Sequence, residues 1–285
     1  MQNLIFLLPL YNDWKSVQKL IGNINDQVQT TNHNADIFIV DDCSPDKEKL
    51  NIDDLANIKS LKIIRLNENL GSQKAIAVGL KYLENQKTDS IITIMDSDGE
   101  DDSTKINEMT SLANQNREFV VVSCRTKRVE GIFFNILYNI HKFLTFIFTL
   151  RWINFGNYSS FHSSNITKIL KKNYAWLAYS SAVSKNCKTK RVYAPRKKRF
   201  FGRSKLTSLG LFLHSLRVNL VFFPTIILTS FFYIYLIYFL SFETFLSFSF
   251  ISLILLYNCL LISVLMSSKL KDLEETKKFI SEKID

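Results

Sequence analysis

Residues 218–268 carry a single charged side chain, Glu243, in 51 positions. A soluble core helix of that length would normally show a polar face, so a simple soluble enzyme is not the default reading. Residues 218–240 and 242–267 supply 23 and 26 positions, each adequate for a hydrocarbon layer about 30 Å thick. Tyr233, Tyr235 and Tyr238 gather toward the connector 241–244, as interfacial aromatics do, while Arg217, Lys269 and Lys271 flank the other side. The expectation is a two-helix transmembrane hairpin in an integral membrane protein, with residues 1–217 and both termini cytoplasmic.

The first 125 residues follow a different rule. Short apolar runs at 4–8, 37–40, 61–66, 91–95 and 119–122 alternate with helical periodicity. Val17, Leu20, Ile21, Ile24 and Val28 keep one helix face after the first run, and Ala75, Val78, Gly79 and Leu83 do so after the third. This is the pattern of an α/β chain with a mostly parallel sheet covered on both faces. The run at 4–8 lacks a basic flank and meets Pro9, which fits a buried first strand better than a signal peptide.

Ligands of such sheets bind beyond the carboxyl ends of the strands. Acidic residues cluster there: Asp13 after the first run, Asp41, Asp42 and Asp46 after the second, and Asp96, Asp98, Glu100, Asp101 and Asp102 after the fourth. Asp96 and Asp98, two apart at a strand end, suit one hard cation, Mg²⁺ or Mn²⁺, whose other positions go to water and phosphate oxygens. A nucleotide diphosphate would complete that sphere, with Asp13, Asp41 and Asp42 as acceptors for base or ribose. An Asp-x-Asp taken by itself is more often a solvated turn than a metal site, and Asp102 reads as a cap for the helix that follows. Gly71 opens the helix after the third run, but neither Gly-x-Gly-x-x-Gly nor a phosphate loop is present, which argues against a dehydrogenase and a nucleoside-triphosphate hydrolase.

Charge is unevenly distributed: net −7 over residues 1–110, +18 over 111–217 and −1 beyond. Arg125 and Arg128 follow the fifth run closely enough to reach the acidic cleft, where a guanidinium can clamp phosphate. Residues 185–205 hold ten Lys and Arg and no acid, a composition that also suits anionic membrane lipids. No stacking motif or recognition helix accompanies the charge, so nucleic acid is not an expected partner. Residues 132–150 are apolar but interrupted, and read as a helix lying in the membrane plane, with a core helix or an oligomer contact as alternatives. The four cysteines lack metal-ligand spacing and fit packing in a reducing compartment.

These residues together resemble the membrane-anchored family 2 glycosyltransferases, the group that contains dolichyl-phosphate mannosyltransferase and bacterial undecaprenyl-phosphate glycosyltransferases. Leu8-Pro9-Leu10-Tyr11-Asn12-Asp13 resembles the opening Pro-x-Tyr-Asn-Glu segment, Val40-Asp41-Asp42-Cys43-Ser44 the Val-Asp-Asp-Gly-Ser turn, and Met95-Asp96-Ser97-Asp98 the metal-binding Asp-x-Asp. Arg199-x-x-Gly202-x-Ser204-Lys205 resembles the segment that precedes the spans. Cys43 stands where the family usually has Gly, and Asn157-Tyr158-Ser159-Ser160 stands where many members carry an Arg.

The resemblance implies a nucleotide-sugar transferase with a Rossmann-like, mostly parallel sheet over residues 1–130. Interfacial helices and a basic acceptor-side segment would follow at 131–217, two spans at 218–267 and a charged tail at 268–285. It implies an inverting, metal-dependent transfer of a hexosyl group from a nucleotide-diphosphate sugar to a polyprenyl phosphate. The alternatives are a lipid or saccharide hydroxyl acceptor, for which Asp101 or Glu100 would be the base, and a non-catalytic nucleotide-binding module. The donor site would comprise Pro9, Tyr11, Asp13, Asp41, Asp42, Asp96 and Arg125, the metal site Asp96 and Asp98, and the catalytic set Asp98, Asp101, Arg128, Arg199 and Lys205. A homo-oligomer is compatible with the sequence, which leaves subunit number open.

Overall fold

Strand β1 (Asn3–Leu10) is buried at every position after Asn3, as a strand covered on both faces must be. The structure, a computed structural model, describes residues 3–31, 33–126, 132–202, 207–240, 244–268, 273 and 278–284. After β1 come α1 (Trp14–Gln29), β2 (Ala35–Asp41), β3 (Ile58–Leu66), α2 (Ser72–Gln86), β4 (Ser90–Ile94), α3 (Ile106–Gln115) and β5 (Phe119–Arg125). Then follow α4 (Ile132–Thr149), β6 (Phe155–His162), α5 (Ile166–Leu170), α6 (Tyr174–Leu177), α7 (Tyr179–Asn186) and β7 (Lys188–Ala194). The last elements are α8 (Ser208–Leu220), α9 (Phe223–Phe239), α10 (Thr244–Ser267) and β8 (Ile280–Ile284).

The chain divides into two compact units, one of Met1–Val129, Asn154–Ser204 and Lys271–Asp285, the other of Glu130–Ile153 and Lys205–Leu270. The first holds one sheet in the order β7-β5-β6-β4-β1-β2-β3-β8. Strands β4, β1, β2 and β3 run parallel, so the carboxyl ends of β4, β1 and β2 lie side by side. The sheet is mostly parallel, as expected, but mixed: among the described strands only β6 and β8 oppose the direction of the rest. Strand β6 runs antiparallel between β4 and β5, and β8 antiparallel along β3. Thus residues 155–162, 188–194 and 280–284, from stretches read as interfacial helix, basic segment and charged tail, are strands of this sheet.

Alternation along β1 separates two cores. Leu4, Phe6, Leu8 and Leu10 join Val17, Leu20, Ile21 and Ile24 of α1 and Met109 and Ala113 of α3. Leu7 points to the opposite face, against α2. A Cβ built on Gly79 would stand 2.6 Å from Leu7 Cδ1 and 2.8 Å from Val40 Cγ2, so α2 approaches the sheet as closely as a glycine permits.

The second unit contains α4, α8, α9 and α10. Thr229 donates to the Phe148 carbonyl (2.8 Å) and Tyr233 to the Ile147 carbonyl (2.8 Å), tying α9 to α4. Asn258 Nδ2 donates to Ser230 Oγ at 2.9 Å, joining α10 to α9. Residues Phe245–Ser267 of α10 are long and apolar enough to cross a membrane. The expected span at 218–240 is not one helix: α8 and α9 meet at 86°. Pro224 explains why the second helix begins there, because its missing N–H is harmless only in a first turn. The expected clean two-helix hairpin is therefore corrected to one candidate span and a bent helix pair. Leu228, Phe231, Tyr235, Phe245, Phe248 and Leu253 are all exposed, the reverse of a soluble surface.

Candidate active site

The neighbouring ends of β4, β1 and β2 carry the acidic turns. Ser97 Oγ donates to the Pro9 carbonyl at 2.6 Å, and Asp42 N–H donates to the Leu10 carbonyl at 2.8 Å, so the three turns are fastened into one ledge. Pro9 itself is buried and supplies backbone to this fastening, while Tyr11 lies more exposed beside it. Cys43 takes φ +59°, the left-handed conformation that a glycine adopts without strain, which accounts for the Gly usual at this position in the family it resembles. Asn12, at φ +56°, donates its N–H to Ser44 Oγ at 2.8 Å.

Asp41 and Asp42 are turned into the protein. Asp41 is fully buried, pairs with Arg65 at 2.7 Å and accepts the Ser44 N–H at 3.0 Å. Asp42 accepts the Leu70 N–H on one oxygen and the Gly71 N–H on the other, both at 2.7 Å. It thereby fixes the start of α2, where Gly71 has φ +90°. Burial pushes its carboxyl up to about 6, outweighing the two amide bonds and adding to repulsion from Asp41.

The turn after β4 is tightly self-bonded. Asp101 accepts the Asp96 N–H at 3.0 Å, Asp98 accepts the Glu100 N–H at 3.0 Å, and Gly99 between them has φ +82°. Asp102 accepts from Thr104 N–H at 3.2 Å, the cap anticipated for it. Burial, then repulsion from Asp96, raises Asp98 to about 6 and Asp101 to about 8; Arg199 opposes the first shift and Arg125 the second. Arg125 lies beside Gly156, where an added Cβ would stand 3.5 Å from its guanidinium.

Residues 196–200 lie over this turn. Lys197 N–H donates to the Glu100 carbonyl and Phe200 N–H to the Asp98 carbonyl, each at 2.9 Å. The Phe200 ring occupies the space that any side chain at position 99 would need, so Gly99 is required twice over. Arg196 pairs with Glu100 through Nε at 2.9 Å. Arg199 bridges two turns, binding Asp98 at 3.1 Å and also Asp13, while its buried Nε has no hydrogen-bond partner among the described residues.

The structure thus gathers Asp13, Asp96, Asp98, Asp101, Arg125 and Arg199 at one ledge, and directs Asp41 and Asp42 inward. Arg128 and Lys205 lie outside the described residues. The sequence reading missed the Arg65 partner of Asp41, the Arg196–Glu100 pair and the contact of Asn157 Nδ2 with Asp96 Oδ1 at 3.0 Å. Only Asn157 left a trace, as the first residue of the stretch 157–160 in which the Arg of the family pattern is missing.

Among the described residues no three His, Cys, Asp or Glu side chains converge as a metal site. Asp96 and Asp98 nevertheless suit a divalent ion: both offer hard oxygen, and their repulsion, which helps raise Asp98, is what a cation would relieve.

A dodecaprenyl-phosphate galacturonate synthase from Rhizobium johnstonii is 25% identical over 46% of this chain and 38% of its own length. A dolichol-phosphate mannosyltransferase from Pyrococcus furiosus is 27% identical over 32% of this chain and 24% of its own. The chain thus matches well under half the length of either relative. The solved structure of glucosyl-3-phosphoglycerate synthase from Mycobacterium tuberculosis, bound to phosphoglyceric acid, superposes with a TM-score of 0.50 at 11% identity. That match covers 79% of this chain and 80% of that one, and it shows a shared fold. The family model described as glycosyl transferase family 2 matches residues 6–175, more than half of the chain and with it the carboxyl ends of β1, β2 and β4 that carry the acidic ledge, so the chain belongs to glycosyl transferase family 2.

Proposed function

We propose that this protein transfers a glycosyl group from a nucleotide-diphosphate sugar to a hydroxyl acceptor at a membrane. The observation that carries the reading is the meeting of Asp13, Asp96, Asp98 and Asp101 at adjacent strand ends under Arg199, in a family 2 fold. Asp96 and Asp98 would hold Mg²⁺ or Mn²⁺. When bound, that ion offsets the charge that develops on the departing nucleotide diphosphate. The Nε of Arg199 is a buried donor with no hydrogen-bond partner among the described residues, and a diphosphate oxygen would satisfy it.

A hydroxyl acceptor needs a base, and the ledge holds more carboxylates than a Mg²⁺ site ordinarily uses. Asp101 is our candidate. It would take the acceptor proton as the acceptor oxygen bonds to the anomeric carbon and the bond from that carbon to the diphosphate breaks, with inversion. Glu100 is the weaker choice, since Arg196 holds it.

A second reading, transfer to polyprenyl phosphate, rests on the names of the two relatives and on the basic segment 199–205. A phosphate is already a nucleophilic anion and would need cations rather than a base. Arg199, the described arginine of that segment, is engaged with Asp13 and Asp98, and Arg196 just before it with Glu100.

The test is incubation of the detergent-solubilised full chain with Mg²⁺ or Mn²⁺, labelled nucleotide sugars, hydroxyl-bearing lipids or saccharides, and polyprenyl phosphate. An acid-stable glycoside supports the hydroxyl acceptor, and an acid-labile lipid phosphosugar supports the second reading. Transfer to neither overturns both. Asp98→Asn should lower metal-dependent donor affinity by more than about ten-fold, the scale on which even second-shell changes act.

A further inference from the structure

We infer that Asn157 and Gln73 are positioning residues whose directed hydrogen-bond chain sets the carboxylate of Asp96. This deepens the proposed function and rests on it. Strand β6 pairs with β4 so that Ser159 faces Ile94; the same antiparallel register continued by two residues brings Asn157 opposite Asp96. Asn157 Nδ2 donates to Asp96 Oδ1 at 3.0 Å. Its own Oδ1 accepts from Gln73 Nε2 at 3.0 Å, and Gln73 Oε1 accepts the backbone N–H of Tyr179 at 2.7 Å.

The direction of this chain is fixed at its far end. A backbone N–H can only donate, so the Gln73 amide has one orientation, which presents its NH₂ to Asn157. Asn157 is oriented in turn, and the chain must end with a donor facing Asp96. The Tyr179 N–H is a first-turn amide of α7 with no intrahelical acceptor, so the Gln73 contact also completes that helix start. Strand β6 is braced at the same place: Ser159 Oγ and Tyr179 OH are 2.7 Å apart, and Ser160 Oγ and Thr93 Oγ1 are 2.8 Å apart.

Asp96 stands among like charges, because Asp98 and Asp101 both feel its field. Repulsion alone would turn its carboxylate away from them. The Asn157 donor holds one oxygen against that tendency, leaving the other as the oxygen we assign to the cation. Groups that orient a metal-ligating carboxylate in this way typically change metal affinity by about 10- to 100-fold when removed.

The test is electron paramagnetic resonance titration of Mn²⁺ into the full chain in detergent, with uridine or guanosine diphosphate, whichever wild type binds more tightly. Asn157→Leu removes the donor at nearly constant volume and should weaken Mn²⁺ binding about ten-fold. It should lower kcat while the acceptor KM stays unchanged. Gln73→Leu leaves the last bond but frees Asn157 to reorient, and about a three-fold loss is expected, the lesser share of such an outer-shell effect. Nucleotide affinity without metal should match wild type in both. Wild-type Mn²⁺ affinity in either folded variant, with only a lower thermal midpoint, would reduce the chain to a structural brace and overturn the inference. If Asn157→Leu does not fold, Gln73→Leu decides. Failure of wild type to bind Mn²⁺ with either nucleotide would instead overturn the transferase reading beneath it.

Discussion

Asp42 spends both carboxylate oxygens on the Leu70 and Gly71 amides and still titrates at about 6, because its burial costs the charged form more than those bonds return. The unfolded chain releases that proton near the ordinary value of 3.8. Between about pH 4 and 6 the folded form therefore binds more protons than the unfolded one, and stability falls as pH rises through this window. A shift of about two units corresponds to roughly 3 kcal/mol. Thermal midpoints of the full chain should fall between pH 4 and 6.5, and Asp42→Asn should flatten the fall. A slope unchanged by that substitution would assign the pH response to the other raised carboxyls, Asp98 and Asp101. The same residue shows what the sequence can reveal at this scale. Acidity at a strand end marks the ledge, but which acid faces ligand and which faces protein is decided by partners such as Arg65 and Gly71, drawn from other strands and loops. The bond between Gln73 and Asn157 joins residues 84 positions apart and depends on strand register, which no local motif records.

Helix α2 meets the sheet through Gly79, and two effects of opposite sign compete there. Gly79→Ala gains about 1 kcal/mol of helix propensity. It also pushes a methyl group against Leu7 and Val40, both fully buried in a close-packed core, at an overpacking cost of about 1 to 3 kcal/mol. Leu7 and Val40 have no solvent-exposed space to move into, so a net loss is expected, visible as a lower thermal midpoint with the secondary structure retained. A higher midpoint would show that α2 can shift outward. Strands β1, β2, β4 and β5, buried on both sheet faces, the partly exposed β3 and the helices packed upon them were legible because burial wrote apolar runs into them. Strand β6 was not: its buried Ser159 and Ser160 are satisfied by hydrogen bonds with Tyr179 and Thr93, so no apolar run appears. Edge strand β7 exposes Lys188, Lys190 and Arg191, which protects an open edge but reads as a basic loop. The bend between α8 and α9 was equally hidden, since apolar composition is indifferent to direction and Pro224 is tolerated both in a span and at a helix start.

At the scale of the whole molecule, sheet pairing constrains membrane topology. Strand β8 is hydrogen-bonded to β3, so residues 58–66 and 280–284 belong to one sheet and lie on the same side of any bilayer. The chain between them must cross an even number of times. Helix α10, with 24 residues, is about 36 Å long at 1.5 Å per residue and can cross alone. If it does, a second crossing is required. Helix α9 is the candidate: it has 17 residues, at the short end for a span, and its Ser230 meets Asn258 of α10, a polar contact suited to helix pairing in lipid. The 86° bend would then lay α8 along the membrane surface, where residues 209–220 mix exposed Leu209, Leu211 and Phe212 with Arg217. We predict that the full chain resists alkaline carbonate extraction. With the four native cysteines replaced, Leu240→Cys and Lys283→Cys should react with a membrane-impermeant thiol reagent from opposite faces of sealed membranes. Reaction from the same face, together with carbonate release, would mean no crossing and a surface-bound second unit. Reaction from the same face without release would make the bent pair and α10 re-entrant, because one crossing alone cannot be reconciled with β8 in the sheet.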